Sequence, residues 1–199
     1  MCACLPAGGE LAEAAAGLAG AAESGADEER AVLRDGSTVV IRPLASGDEA
    51  AIAVWFEGLG PETRYARFLA GVSRLNDRTR SELARVDHRD REALTAVAGD
   101  GAVVGIARYA RLPEPGTAEV AVAVADRWRG HGIARLLLQR IAARARAADI
   151  HCLTALCLMS NSAILRLLSR LGPMTTAASV PGVVEVRIDL RRASTAARR

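Results

Sequence analysis

The sequence predicts a mixed α/β fold, and three observations carry that expectation. Glu119 to Val124 is an apolar strand pattern that runs into the glycine-containing loop Arg129-Gly130-His131-Gly132, which opens a long amphipathic helix pattern. Ala93 to Ala98 and Ala102 to Ala110 flank Gly99-Asp100-Gly101 and read as a hairpin, because an Asp-Gly pair suits a tight reversal. Helical and strand periods alternate along the chain without repeated parallel βαβ units or a Gly-x-Gly-x-x-Gly fingerprint, which argues against a doubly wound dinucleotide fold.

The elements follow in order. Residues 1–30 are rich in alanine, glycine and glutamate and hold no aromatic side chain. They can bury little surface, so the folded domain is expected over 31–190, between a flexible N-terminal tail and a basic C-terminal tail at 191–199. Thr38 to Leu44 reads as a strand after an Asp35-Gly36 turn, with Pro43 ending it. Ser46 or Asp48 can cap a helix through Trp55 and Phe56. Pro61 opens a second helix carrying Tyr65 and Phe68, and Asn76 or Asp77 caps a third through Arg85. Pro113 to Gly116 is a loop, and Ala118 to Ala125 is the next strand. From Gly132 to Ala147, Ile133, Leu136, Leu137, Ile141 and Ala145 recur every three or four residues and make one apolar stripe. Cys152 to Leu158 is a short continuous apolar strand. Asn161 or Ser162 caps a helix ending at Gly172-Pro173, and Val183 to Leu190 alternates as an antiparallel strand does.

The chain has 199 residues, half of them apolar and a quarter charged, which suits one domain with a sizeable core. A formal net charge of +3 without a concentrated basic face gives no reason to expect a nucleic-acid partner. All 26 lysine-plus-arginine positions are arginine. Arginine stays protonated, so the chain carries no side-chain amine that can lose its proton and act as a nucleophile. Cys2, Cys4, Cys152 and Cys157 lack the paired spacing of a zinc site, so reduced thiols and no metal are expected. Glu10 and Glu13 interrupt the first apolar stretch, and no run reaches the roughly 20 apolar residues of a membrane span. The expected compartment is the cytoplasm, with no membrane partner.

The glycine loop carries the chemistry. Gly130 and Gly132 admit backbone conformations that side chains obstruct, so that amides can approach phosphate oxygens at a helix start. Arg129 and Arg135 can add charge-assisted contacts. The loop lacks the Gly-Lys-Ser/Thr ending of a nucleoside-triphosphatase loop.

Arg129-Gly130-His131-Gly132-Ile133-Ala134 fits the Arg/Gln-x-x-Gly-x-Gly/Ala signature, and from Asp35 to Leu190 the chain resembles the GNAT N-acyltransferases. Ile41-Arg42-Pro43-Leu44 and Val104-Gly105-Ile106-Ala107-Arg108-Tyr109 add to the resemblance. Tyr65-Ala66-Arg67-Phe68 and Ala118-Glu119-Val120-Ala121 narrow it to bacterial Pat-type protein-lysine acetyltransferases, which include mycobacterial enzymes controlled by cyclic AMP. About 30 residues precede the catalytic part, too few for a cyclic-nucleotide domain, so that control is expected to be absent.

The resemblance implies a mixed, mostly antiparallel sheet flanked by helices, with the fourth and fifth strands splayed into a notch for acetyl-CoA, the acyl-donor cosubstrate. It assigns the pyrophosphate to Arg129, Gly130, His131, Gly132, Ile133, Ala134 and Arg135. The pantetheine arm falls to the backbone of Val122, Ala123 and Val124 and to Asn161. Glu119 matches the subgroup's general base, acting through water, and Glu114 is the reserve. Many family members place a tyrosine acid where this chain has Leu168, and Pro173 replaces a phenylalanine, so the proton donor to the thiolate is unassigned.

The expected activity is acetyl transfer to a protein lysine, with an acyl-CoA synthetase as the first candidate acceptor. The alternatives are a small-amine or antibiotic acetyltransferase and a non-catalytic acyl-CoA sensor. Trp128 is expected to pack at the strand end. Tyr65 and Tyr109 are open between cleft and core.

Overall fold

The computed structural model describes residues 28–192; residues 1–27 and 193–199, with most of both expected tails and with Cys2 and Cys4, lie outside them. Within the described residues eight strands form one sheet. They are β1 (Glu29–Val32), β2 (Thr38–Pro43), β3 (Arg91–Ala98), β4 (Val103–Arg111), β5 (Thr117–Val124), β6 (Cys152–Leu158), β7 (Met174–Val180) and β8 (Val183–Asp189). The helices are α1 (Glu49–Glu57), α2 (Pro61–Phe68), α3 (Asp77–Ala84), α4 (Ile133–Ala147) and α5 (Ser162–Leu168).

The strand order is β1-β2-β3-β4-β5-β6-β8-β7, and every pairing is antiparallel except β5 with β6. A parallel pair needs a crossover, which α4 supplies. The apolar stripe of α4 buries Ile133, Leu137, Leu138, Ile141, Ala142 and Ala145 against one sheet face, with Val39, Ile41, Leu94 and Val120 in the same core. A Cβ on Gly105 would stand 3.1 Å from Ile133 Cγ2 and Leu137 Cδ1, so the glycine lets α4 settle on β4. On the other face α1, α2 and α3 cover Ala93, Ile106 and Ala123 with Ile52, Trp55, Phe56, Phe68 and Leu83.

Two strands exceed the sequence expectation. β1 includes Glu29 and Arg30, which the composition of residues 1–30 puts in the tail, and Glu29 pairs with Arg140 on α4. β7 is an edge strand exposed along nearly its whole length, so it lacks the alternation that announces a strand. Because β1 precedes the expected first strand, the splayed pair is the fifth and sixth here. Capping is as expected at Asn76, which accepts from Thr79 N at 2.8 Å. Asp48 takes another role: it holds Arg42 at 2.7 Å and Ala45 N at 2.8 Å rather than the first amides of α1.

On β6, Cys152 is half-buried and Cys157 is buried. Among the described residues no group of histidine, cysteine or carboxylate side chains could hold a metal ion. None of their helices is long and apolar enough to cross a membrane.

Candidate active site

The parallel pairing of β5 and β6 runs through Thr117 with Cys152, Ala118 with Leu153 and Glu119 with Thr154, and then stops. Beyond Glu119 the two strands part and leave a cleft of about 1090 Å³. Val122, Ala123 and Val124 form one wall and Asn161 stands on the other side. Arg129, Gly130, Gly132, Ile133, Ala134 and Arg135 close one end. The structure thus brings these ten expected residues to a single cavity.

The loop has the geometry its glycines predict. Gly130 has φ +85° and Gly132 φ +97°, in the left-handed region that favours glycine. Leu136 donates to Gly132 O at 3.1 Å as the first bond of α4, so the amides of Ile133, Ala134 and Arg135 have no intrahelical acceptor. They point a positive helix end at the cleft, where an anion is favoured. Asp126 fixes the loop from below: its carboxylate accepts from Gly60 N at 3.1 Å and Thr63 Oγ1 at 2.5 Å, both at the start of α2.

His131 belongs to the loop through its backbone, but its ring does not line the cleft. Its Nε2 lies 3.2 Å from Asp35 Oδ2, and the ring meets Trp128 edge-on at 6.0 Å. Asn161 caps α5 by accepting from Ile164 N at 3.2 Å, which leaves its amide N–H groups for a ligand. Trp128 lines the cleft while packing against the core, as does Leu168, which is 2% exposed and carries no proton to give.

Glu119 stands at the base of the fork, half-buried, on the last shared rung. Burial pushes its carboxyl up to about 7, against the pull of Arg67 and Arg108. Both cations are themselves buried, Arg67 at 6% exposure on α2 and Arg108 at 2% on β4. Glu119 pairs in register with Ala110 and Ala121 with Arg108, so Arg108 is a diagonal neighbour on the same sheet face. It also donates to Leu83 O at 3.3 Å, at the carbonyl end of α3. The reserve base, Glu114, is held at the surface by Arg187 at 2.8 Å. Tyr109 is a core residue whose O–H donates to Arg89 O at 3.3 Å, whereas Tyr65 is 49% exposed and lines the cleft.

Sequence reasoning missed Arg34, Arg67 and Arg108. Arg34 reaches the cleft from the β1–β2 turn and Arg67 from α2. The signal available for Arg67 was its place in Tyr65-Ala66-Arg67-Phe68; Arg34 had none beyond preceding the Asp35-Gly36 turn.

The model of the acetyltransferase (GNAT) family matches residues 56–172. The chain belongs to the GNAT acetyltransferase family. Acetyl-CoA is the acyl donor of that family. This GNAT protein is similar to the GNAT domain of S. lividans PAT, with 32% identity and a TM-score of 0.75 over 82% of this chain and 97% of that one. A cAMP-binding acyltransferase from Mycobacterium smegmatis is 25% identical with a TM-score of 0.57, over 82% of this chain and 47% of that chain. A curated acetyltransferase of Pseudomonas aeruginosa is 33% identical over 112 residues, 55% of this chain. The match spans 60% of the length of that relative.

Proposed function

We propose that this chain transfers the acetyl group of acetyl-CoA to the side-chain amine of a protein lysine, with Glu119 as general base. The observation that carries the reading is a half-buried carboxylate held at about 7 on the last rung before the strands part. A lysine ammonium has a pKa of about 10.4 and is not nucleophilic while charged. A base that titrates near neutrality can take its proton at physiological pH, directly or through one water.

The neutral amine nitrogen then attacks the thioester carbonyl carbon. A C–N bond forms, the C–S bond breaks with its electron pair leaving on sulfur, and the second proton of the amine nitrogen passes to water. Amides of β5 near Val122 are placed to stabilise the oxyanion. A thiolate with a pKa of about 8.5 can take its proton from water, so the absence of a tyrosine at Leu168 is tolerable. The cleft suits the donor at both ends. The unpaired edge of β5 can pair with an extended pantetheine arm, and the amides after Gly132 can hold the diphosphate.

Protein lysine as acceptor is supported by the similarity to the S. lividans PAT domain across most of both chains and by the Tyr65-Ala66-Arg67-Phe68 and Ala118-Glu119-Val120-Ala121 segments. The test is mass spectrometry of purified candidate acceptors, acyl-CoA synthetases first, incubated with acetyl-CoA and either wild type or Glu119→Gln. Wild type should add acetyl to specific lysines and Glu119→Gln should not. Consumption of a small amine with every protein lysine untouched would replace this reading with small-amine acetylation. Acetyl-CoA binding without turnover on any amine would replace it with a sensor.

A further inference from the structure

The family match begins at residue 56, so the β1–β2 hairpin lies outside it, yet its turn leans on the glycine loop. The Arg34 side chain lines the cleft, and its Nε comes within 4.0 Å of where a Cβ on Gly132 would sit. Among the described residues no carboxylate pairs with it. The next residue anchors the turn. Asp35 accepts from Ser37 N at 3.1 Å and Ser37 Oγ at 2.6 Å, and those bonds hold its carboxyl below the usual range. Its other oxygen faces His131 Nε2 at 3.2 Å. The Glu29–Arg140 pair fastens β1 to α4, so the hairpin is tied to the loop and to the helix the loop opens.

We infer that Arg34 is a phosphate ligand of the bound coenzyme A, held over the glycine loop by the contact between Asp35 and His131. This rests on the reading that the cleft holds acetyl-CoA. A guanidinium offers a planar fork of donors that matches two phosphate oxygens. Its position beside Gly132 places it on the diphosphate, where the amides of α4 converge. His131 thereby acts as a positioning residue: it fixes the turn that presents the arginine.

Calorimetry with coenzyme A and with 3′-dephospho-coenzyme A tests this on wild type, Arg34→Ala, Arg34→Lys and Arg30→Ala. Arg34→Ala is expected to weaken both ligands about tenfold, Arg34→Lys to recover part of the loss, and Arg30→Ala, which removes the same charge from exposed β1, to change neither. A loss confined to coenzyme A moves the contact to the 3′-phosphate and keeps Arg34 as its ligand. Equal affinity of Arg34→Ala and wild type for both ligands overturns the assignment. Wild type that binds neither ligand overturns the cleft reading instead, a separate outcome. Asp35→Ala should lose part of the same affinity and add nothing to Arg34→Ala; additive losses overturn the positioning role.

Discussion

Glu119→Gln separates the charge of this carboxylate from its shape, and the structure fixes what should follow. The carboxyl is raised from 4.5 to about 7, chiefly by burial. Each pKa unit corresponds to about 1.4 kcal/mol. The ionised form therefore costs the fold about 3.5 kcal/mol at full effect, and about 2 kcal/mol once the solvent that reaches a half-buried group is allowed for. The sign follows from linkage. In the unfolded chain Glu119 loses its proton through about 4.5, and in the folded chain through about 7. Below that window both forms are neutral and glutamine confers no advantage. As pH rises across it, wild type loses stability relative to Glu119→Gln, and above it the gap is constant. At pH 8 the variant should be about 2 kcal/mol more stable, equivalent to roughly 4–8 °C in Tm for a chain of this size. The same variant should lose about 10²- to 10⁴-fold in kcat while acetyl-CoA affinity holds. Urea unfolding at pH 4.5 and pH 8, beside initial rates and calorimetry, reads all three. A stability difference independent of pH would refute the claim that a buried charge sits at the fork.

Three further outcomes are expected. The acid limb of kcat/KM should fall near pH 7, where Glu119 ionises, and Arg67→Gln should move it up by about one unit by removing a buried cation; an unmoved limb means that Arg67 does not act on the base. Gly132→Ala places a Cβ at φ +97°, costing about 1–2 kcal/mol, and should weaken coenzyme A binding in calorimetry through distortion of the loop. Gly60→Ala puts a methyl group against the Asp126 carboxylate that ties the loop to α2, and should cost about 1–3 kcal/mol in urea unfolding, with a retained midpoint arguing that the tie is dispensable.

What the sequence disclosed was local and periodic. The glycine loop and α4 were legible because positive-φ glycines and a three-to-four apolar spacing leave marks within a few residues of one another. Glu119 interrupts an apolar strand, and a glutamate there faces at least partial desolvation, which is the direction in which its carboxyl moves. Other features depend on partners distant in the chain. Arg108 looks like a surface charge in a one-dimensional reading; only the carbonyl end of α3 and the diagonal approach to Glu119 explain a buried guanidinium. His131 reads as a loop residue facing phosphate, and its ring instead meets Asp35 in the β1–β2 turn, about a hundred residues away in the chain. β7 was invisible because a strand exposed on both faces needs no apolar alternation, and β1 because four residues are too few to show a period.

The three-rung seam between β5 and β6 divides the sheet into two leaves, β1 to β5 and β6-β8-β7. Past Glu119 and Thr154, alternate peptide groups on the inner rims face no neighbouring strand, so without a ligand those rim amides should exchange with deuterium quickly. A donor lying along β5 and gripped by the loop would fill the missing rungs and damp the breathing of the leaves. Slowed exchange at Val120, Val122 and Val124, whose amides face away from β4, would then mark the loaded enzyme, whichever amine it goes on to acetylate.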